Sequence, residues 1–166
     1  SARFGYDRFY IGMAMRIKPV YDNRRRYMDL LLLGDEQEEM VNRYIDTGEM
    51  FVGRVGCKAV AVCVVTREGS GLVEIKNIAV DPACRRRGYG RAMLSYIEAR
   101  YRECAVQLGT GETPVTIDFY RACGYTYSHR IPGFFTDNYD HPVVDGGVLL
   151  TDMVYMRKEP VNNAGA

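Results

Sequence analysis

The sequence contains no tryptophan, only two histidines, and five cysteines that form no Cys-x-x-Cys pair. An odd number of cysteines without paired spacing argues against a disulfide framework and against a zinc site. The longest apolar run, residues 59–65, is far shorter than the roughly 20 residues that a membrane-spanning helix needs. The net charge of +1 offers no overall field to nucleic acid or to an anionic membrane. We therefore expect no metal, no nucleic-acid partner and no membrane partner.

The residues that are present are typical of a globular domain, with 47% apolar and 26% charged among 166 residues. We predict a single domain over residues 1–160, followed by a disordered tail at 161–166. The first residues lack the apolar core of a signal peptide. Three cysteines lie in apolar runs, as small core residues of a reducing compartment do, so we expect a cytoplasmic location.

Hydrophobic periodicity and turn residues divide the chain into alternating elements. Strands are predicted at residues 13–20, 50–55, 58–66, 72–80, 105–108, 125–131 and 148–156. Helices are predicted at 24–33, 35–46, 88–104 and 114–123, with Asp35 and Thr113 as N-caps and Gly124 after the last helix. Residues 132–147 are predicted to be a loop. The order β-αα-βββ-α-β-α-β-β indicates an α+β fold with a central mixed, mostly antiparallel sheet of about seven strands and helices on both faces.

The most informative segment is residues 74–92, where a strand ends, an arginine-rich turn follows, and two glycines open a helix. Arg85, Arg86, Arg87 and Arg91 fall within seven residues. The free N–H groups of a helix start bind anions, glycine lets a phosphate approach the backbone closely, and arginine adds charge-assisted hydrogen bonds. The segment therefore predicts a pyrophosphate site, with a solvated turn as the alternative.

Two familiar nucleotide motifs do not fit this segment. No Gly-Lys-Ser/Thr follows the glycines, which argues against a phosphate-binding loop for ATP. The dinucleotide fingerprint Gly-x-Gly-x-x-Gly is incomplete because Met93 occupies its last position, and no strand with a terminal acid follows.

The motif Arg85-x-x-Gly88-x-Gly90, preceded by a strand ending in Ile-Ala-Val-Asp-Pro, resembles that of the GNAT family of N-acetyltransferases. Residues 118–125 contain Tyr120, Gly124 and Tyr125, and resemble the family's Tyr-x-x-x-Gly-Phe/Tyr helix end. The element order of residues 13–158 is also similar to the family's. The resemblance implies the GNAT fold and the transfer of an acetyl group from acetyl-CoA, the co-substrate, to an amine.

The resemblance also assigns residues to acetyl-CoA. The backbone of residues 86–91 would hold the pyrophosphate, and the end of the preceding strand would pair with the pantetheine arm. Thr113 stands where the family often has asparagine, and it is kept as a candidate for a pantetheine contact. The implied cofactor-binding residues are Ile78, Ala79, Val80, Arg85, Arg86, Arg87, Gly88, Tyr89, Gly90, Arg91 and Thr113.

Two side chains match catalytic positions of the family. An unperturbed primary amine has a pKa near 10.4, so it must lose a proton before it attacks, and the departing thiolate benefits from gaining one. Glu74 matches the glutamate that serves as base, and Tyr120 matches the tyrosine that protonates the sulfur. The alternatives are a surface glutamate beside Lys76 and a tyrosine that only packs in the core.

The predicted loop 132–147 is rich in aromatic and acidic residues, which suit an ammonium group through cation–π and ionic contacts. We expect Phe134, Asp137, Tyr139 and Asp140 to contact a cationic acceptor. The alternatives are aromatics that pack locally and a homodimer contact. The sequence does not distinguish a small-molecule amine from a protein amine. A non-catalytic acyl-CoA-binding module with the same fold is the alternative function, which the presence of both Glu74 and Tyr120 disfavours.

Overall fold

A computed structural model describes residues 14–161 of the chain. Within these residues the strands are β1 (Arg16–Val20), β2 (Glu49–Val55), β3 (Lys58–Arg67), β4 (Leu72–Val80), β5 (Ala105–Gly111), β6 (Thr126–Ile131), β7 (Val144–Asp145), β8 (Val148–Leu149) and β9 (Met153–Lys158). The α-helices are α1 (Met28–Gly34), α2 (Glu38–Asn42), α3 (Tyr89–Arg100), α4 (Pro114–Ala122) and α5 (Phe134–Asn138), with 3-10 turns at Arg24–Tyr27 and Pro82–Cys84.

Seven strands form one sheet in the order β1-β2-β3-β4-β5-β9-β6, and β7 pairs with β8 in a separate hairpin. The pairs β1–β2, β2–β3, β5–β9 and β6–β9 are antiparallel, whereas β4–β5 is parallel. A parallel pair needs a crossover, which α3 supplies. The predicted mixed, mostly antiparallel sheet is confirmed.

Contacts along the chain group into two compact units, which are described separately. The described part of the first unit covers residues 14–66 and 76–99, and that of the second covers residues 67–75 and 100–161. The single domain over residues 1–160 stays a prediction. Of the expected tail, only exposed Val161 lies within the described residues, and the predicted strand start at Met13 lies outside them.

The core of the first unit lies on both faces of its strands. Met50 and Val52 of β2 pack with Leu31, Val41 and Ile45 from the segment of α1 and α2. On the other face, Phe51 meets Tyr96 of α3 edge to face, with ring centroids 5.5 Å apart. The central strand β3 is therefore buried over six consecutive residues, which explains its uninterrupted apolar sequence.

A buried amide ties β4 to the first two helices. Asn77 is 3% exposed, and its Nδ2 donates to the Leu31 carbonyl at 2.8 Å and to the Tyr44 hydroxyl at 3.0 Å. The Tyr44 hydroxyl in turn donates to Asp35 at 3.3 Å. Burial raises the pKa of Tyr44, so this hydroxyl keeps its proton and remains a donor.

Two predictions were wrong in the region that begins at Asp35: the length of the second helix and the role of Asp35 as its N-cap. The helix predicted at residues 35–46 is only α2, because residues 43–47 close into turns in which Tyr44 and Thr47 donate to carbonyls three residues back. Asp35 does not cap this helix, whose N-cap is Gln37. Instead, Asp35 accepts from the Gln37 backbone at 3.5 Å and from Tyr44.

The last predicted strand, residues 148–156, was also wrong, since it is divided into β8 and β9. The backbone between them bonds locally, because Leu150 N–H donates to the Val143 carbonyl and the Thr151 carbonyl accepts from Phe135, both at 2.9 Å. Residues 132–147 were predicted to be a loop, but this segment, which supplies those hydrogen-bond partners, contains α5 and β7. These partners lie outside the predicted strand, so the alternation of residues within it did not reveal them.

Candidate functional site

The arginine loop, residues 85–88, lies between a fixed turn and helix α3 in the first unit. Asp81 anchors the turn, since its Oδ1 accepts from Ala83 N–H at 2.9 Å and its backbone donates to the Val60 carbonyl at 2.8 Å. The Ala83 bond and the Lys58 ammonium, 3.2 Å away, lower the pKa of Asp81. Buried Cys84 completes the support of the loop.

The backbone of the arginine loop adopts an unusual conformation. Arg86 and Gly88 have φ angles of 62° and 82°, both left-handed. Glycine adopts this conformation freely, whereas Arg86 adopts it at a cost of about 1–3 kcal/mol, which is typical of functional sites. Left-handed residues within a turn direct successive N–H groups into an anion-binding concavity. A Cβ at Gly88 would have no atom within 4 Å, so the space beside it is open.

Helix α3 begins directly after this loop. Its first bond joins Ala92 N–H to the Gly88 carbonyl at 2.9 Å, so the N–H groups of the first turn have no acceptor within the helix. No acidic side chain lies in that first turn to neutralise the helix dipole. Arg85, Arg86 and Arg91 are exposed, and Arg87 is half-buried. The loop and helix start can therefore bind a phosphate group through backbone donors and guanidinium groups.

The end of β4 precedes the arginine loop. Ala79 is buried in the first core, whereas Ile78 and Val80 alternate with it and are half-buried. The register of β4 with β5 runs from Leu72 to Ile75, so Ile78 and Val80 lie beyond it. Tyr89, the first residue of α3, is 9% exposed and anchors the helix rather than presenting its ring to solvent.

Glu74 lies on β4 in the second unit, and it is 5% exposed. Among residues 14–161, no other carboxylate or cationic residue is buried. Gln107, its register partner on β5, donates from Nε2 to Oε1 of Glu74 at 2.7 Å. The alternative of a surface glutamate is therefore wrong. A buried carboxylate with an amide donor is a group that can accept a proton.

Tyr155 of β9 lies on the same face of the sheet. Its register partner on β5 is Gly109, where an added Cβ would lie 3.1 Å from the Cζ of Tyr155, so the ring extends over the glycine. His129 stacks on the ring at 4.4 Å. Burial and the negative charges of Glu74 and Glu68 raise the pKa of Tyr155 to about 12, so its phenol stays protonated at neutral pH.

Tyr120 lies on α4 in the second unit and is 8% exposed. Its ring makes edge contacts with Phe119 at 5.2 Å and Tyr125 at 6.0 Å. After the helix, Gly124 has a φ of 92°, and Tyr125 N–H donates back to the Tyr120 carbonyl at 3.0 Å, as in a glycine C-cap. The predicted end of this helix is confirmed, and it holds Tyr120 in a defined position.

Thr113 caps the other end of α4. Its Oγ1 accepts from Thr116 N–H at 3.3 Å and lies 2.9 Å from the Thr116 hydroxyl. The predicted N-cap is confirmed. Thr113 is 5% exposed, and its hydroxyl is already bonded to the first turn of the helix. A pantetheine contact with this hydroxyl would therefore compete with its role as the helix cap.

The segment of residues 132–147 forms a small core of its own. Phe135, Val143 and Leu150 are buried, and Phe134 and Tyr139 pack against them. The rings of Phe135 and Tyr139 stack at 5.6 Å. The aromatics therefore pack locally, which was the alternative considered from the sequence. Asp137 and Asp140 are exposed, and Asp140 lies 2.7 Å from the Nδ1 of His141.

Sequence reasoning missed Gln107, Gly109 and Tyr155. Gln107 is the one polar side chain among the first four residues of β5, which was a signal that this strand faces a polar group. Only the register between strands shows that the group is Glu74.

Known proteins resemble this chain in sequence and in fold. A family model described as an acetyltransferase (GNAT) domain matches residues 46–127. The uncharacterized N-acetyltransferase YvbK of Bacillus subtilis (strain 168) is 29% identical over 144 residues, which are 84% of this chain and 93% of that protein. A GNAT family acetyltransferase from Elizabethkingia anophelis with acetyl-CoA bound has a TM-score of 0.82 and 26% identity, covering 87% of this chain and 97% of its own.

A Bacillus subtilis acetyltransferase in complex with CoA has a TM-score of 0.80 and 26% identity, covering 89% of this chain and 100% of its own. These comparisons support membership of the chain in the GNAT family and an N-acetyltransferase activity. No helix within residues 14–161 has the length and apolar character needed to span a membrane.

Proposed function

We propose that this protein moves the acetyl group of acetyl-CoA to a primary amine by direct transfer within a ternary complex. The observation that carries the proposal is the arginine loop, with left-handed Arg86 and Gly88 before the open start of α3. Two relatives of similar fold hold acetyl-CoA or CoA, which supports the same ligand here. A pyrophosphate suits this loop because both its backbone donors and its arginines favour a dianion.

Acetyl-CoA supplies an activated acetyl group as a thioester. The proposed pyrophosphate contacts are those of residues 86–91, with Arg85 beside them, and the pantetheine arm lies along Ile78, Ala79 and Val80. Glu74 accepts a proton from the ammonium, and the neutral amine then attacks the thioester carbonyl and forms the C–N bond. The C–S bond breaks as Tyr120 donates its phenolic proton to the leaving sulfur, and the second proton that the nitrogen loses restores the phenol. A tyrosine hydroxyl is a donor that can pass its proton to a leaving group.

Release of CoA thiol from acetyl-CoA in the presence of a broad panel of amines tests the proposal. We expect at least one amine to stimulate release, with an acetylated product of matching mass. Binding of acetyl-CoA without stimulated release by any small amine, peptide N-terminus or lysine peptide would favour the non-catalytic acyl-CoA-binding module instead. A cytoplasmic location and a homodimer stay predictions.

We expect Tyr120→Phe to lower kcat by about 10²-fold or more, because it removes a positioned acid. The substitution keeps the ring that packs against Phe119 and Tyr125, so the fold and the affinity for acetyl-CoA should be retained. Steady-state kinetics and calorimetry measure the two effects. Tyr21→Phe, at a site that is 81% exposed, is the control and should match the wild type. An unchanged kcat in Tyr120→Phe would rule out Tyr120 as the acid.

We further propose that the segment of residues 132–147 contributes to the acceptor site and favours a cationic amine. Phe134 and Tyr139 pack in its small core, so Asp137 and Asp140, which are exposed, are the groups through which it would attract an ammonium. An exposed carboxylate contributes little through a single ion pair, so the effect should be modest.

The expected result is a rise of about 3-fold to 10-fold in KM for the amine in each of Asp137→Asn and Asp140→Asn, with acetyl-CoA affinity unchanged. Asp29→Asn, at an exposed site on α1, is the matched control. The effect should weaken in high salt, because salt screens exposed charges. Unchanged amine kinetics in both variants, or a preferred acceptor that is anionic, would reject this role.

A further inference from the structure

The Glu74 carboxylate is held by a neutral partner on the neighbouring strand. Gln107 Nε2 donates to its Oε1 at 2.7 Å. Because the side chains are register partners on parallel strands, the bond is set by the sheet itself.

We infer that Gln107 is the positioning residue of this enzyme, which orients the Glu74 carboxylate and sets how readily it takes a proton. The inference rests on the proposed role of Glu74 as the base. Burial disfavours a charged carboxylate, and an N–H donor compensates by stabilising the ionised form. A lysine or arginine at position 107 would stabilise the ionised form more strongly and would make Glu74 a weaker base. A neutral amide is therefore suited to a carboxylate that must exchange protons.

Other charged and titratable groups lie on β4 with Glu74, in the turn before β4 and on β9. Tyr155 lies on the same face and keeps its proton, because burial and nearby negative charge raise its pKa. Arg157, the register partner of Gln107 on β9, donates from Nε to Glu159 at 2.7 Å. Glu68 lies in the turn before β4, and exposed Lys76 follows Glu74 on the same strand. These groups keep their identity when residue 107 is replaced, so a comparison of variants at that position varies the amide alone among the side chains named here.

The first experiment follows the carboxyl titration of Glu74 by carbon-13 NMR in full-length protein labelled at the glutamate carboxyl carbons. The Glu74 signal is the one that Glu74→Gln removes. Gln107→Met, which deletes the donor but keeps the length, should raise the titration midpoint. Gln107→Lys should lower it. Opposite shifts are not expected if Gln107 only fills space, and a midpoint that is the same in both variants and the wild type would overturn the inference.

The second experiment measures pH profiles of kcat/KM with the best amine from the panel. The acidic limb should move in the same direction as the NMR midpoint, upward in Gln107→Met and downward in Gln107→Lys. In a Glu74→Gln background, Gln107→Met should cause no further shift, because the two positions act as one unit. Gln37→Met is the matched control, since Gln37 is the other glutamine of the sequence and makes no side-chain cap bond.

The two experiments separate the inference from the function on which it rests. Shifted midpoints with unshifted kcat/KM profiles would mean that Glu74 is not the base, although Gln107 still controls its charge. A strong loss of rate in Glu74→Gln together with unshifted midpoints in both Gln107 variants would leave the base in place and reject Gln107 as its positioning residue. Thermal unfolding and acetyl-CoA calorimetry identify any variant that has lost its fold. If Gln107→Met is lost in this way, Gln107→Leu, which also removes the N–H donor, takes its place.

Discussion

Replacing Gly88 with glutamate should abolish measurable binding of acetyl-CoA, with a loss of affinity of at least about 100-fold, or about 2.7 kcal/mol. The added carboxylate would enter the open space beside Gly88 and repel the pyrophosphate at the positive end of α3. The left-handed φ of 82° adds strain of roughly 1–2 kcal/mol for any residue with a Cβ. Isothermal titration calorimetry measures the loss.

Gly71→Glu is the matched control for this prediction. Gly71 has a φ of 78° and equally open surroundings, so it carries the same strain and the same added charge away from the arginine loop. We expect this control to lower the unfolding temperature as Gly88→Glu does, while acetyl-CoA affinity is retained. Wild-type affinity in a folded Gly88→Glu protein would remove the arginine loop from the proposed binding site.

Replacing Glu74 with glutamine should lower kcat by about 10²–10⁴-fold at neutral pH, because it removes the positioned base. Glutamine has the same shape and its carbonyl can still accept from Gln107, so the sheet should remain intact. The rate should recover as the pH approaches the pKa of the free amine, near 10.4, where solvent deprotonates the acceptor without help. A pH series of kcat with the best amine measures both effects.

Glu68→Gln is the control for the Glu74 variant. Glu68 is exposed and also acts electrostatically on Tyr155, so its substitution removes a nearby negative charge without touching the buried carboxylate. We expect its profile to follow that of the wild type. If Glu74→Gln kept the wild-type rate at neutral pH, the amine would have to be deprotonated by another group or by solvent.

Local sequence patterns predicted the elements whose causes are local. The hairpin of β2 and β3, the bounds of β4 and both ends of α4 were confirmed, because turn glycines, a threonine cap and β-branched runs act within a few residues. The helix predicted at 35–46 and the strand predicted at 148–156 were wrong, because hydrogen-bond partners outside these segments' local patterns determine their structure. Tyr44 bonds to Asp35 and Asn77, and Leu150 to Val143, so distant partners override the local pattern there.

The sequence by itself determined the family resemblance, the position of the arginine loop and the two candidate catalytic residues, because these depend on residue types at fixed spacing along one strand and two helices. Only the tertiary structure decided that Glu74 is buried against Gln107, that Tyr155 extends over Gly109, and that Phe135 packs locally. Strand register brings residues about 30 positions apart into hydrogen-bond distance, and periodicity along the chain carries no information about which strands become neighbours.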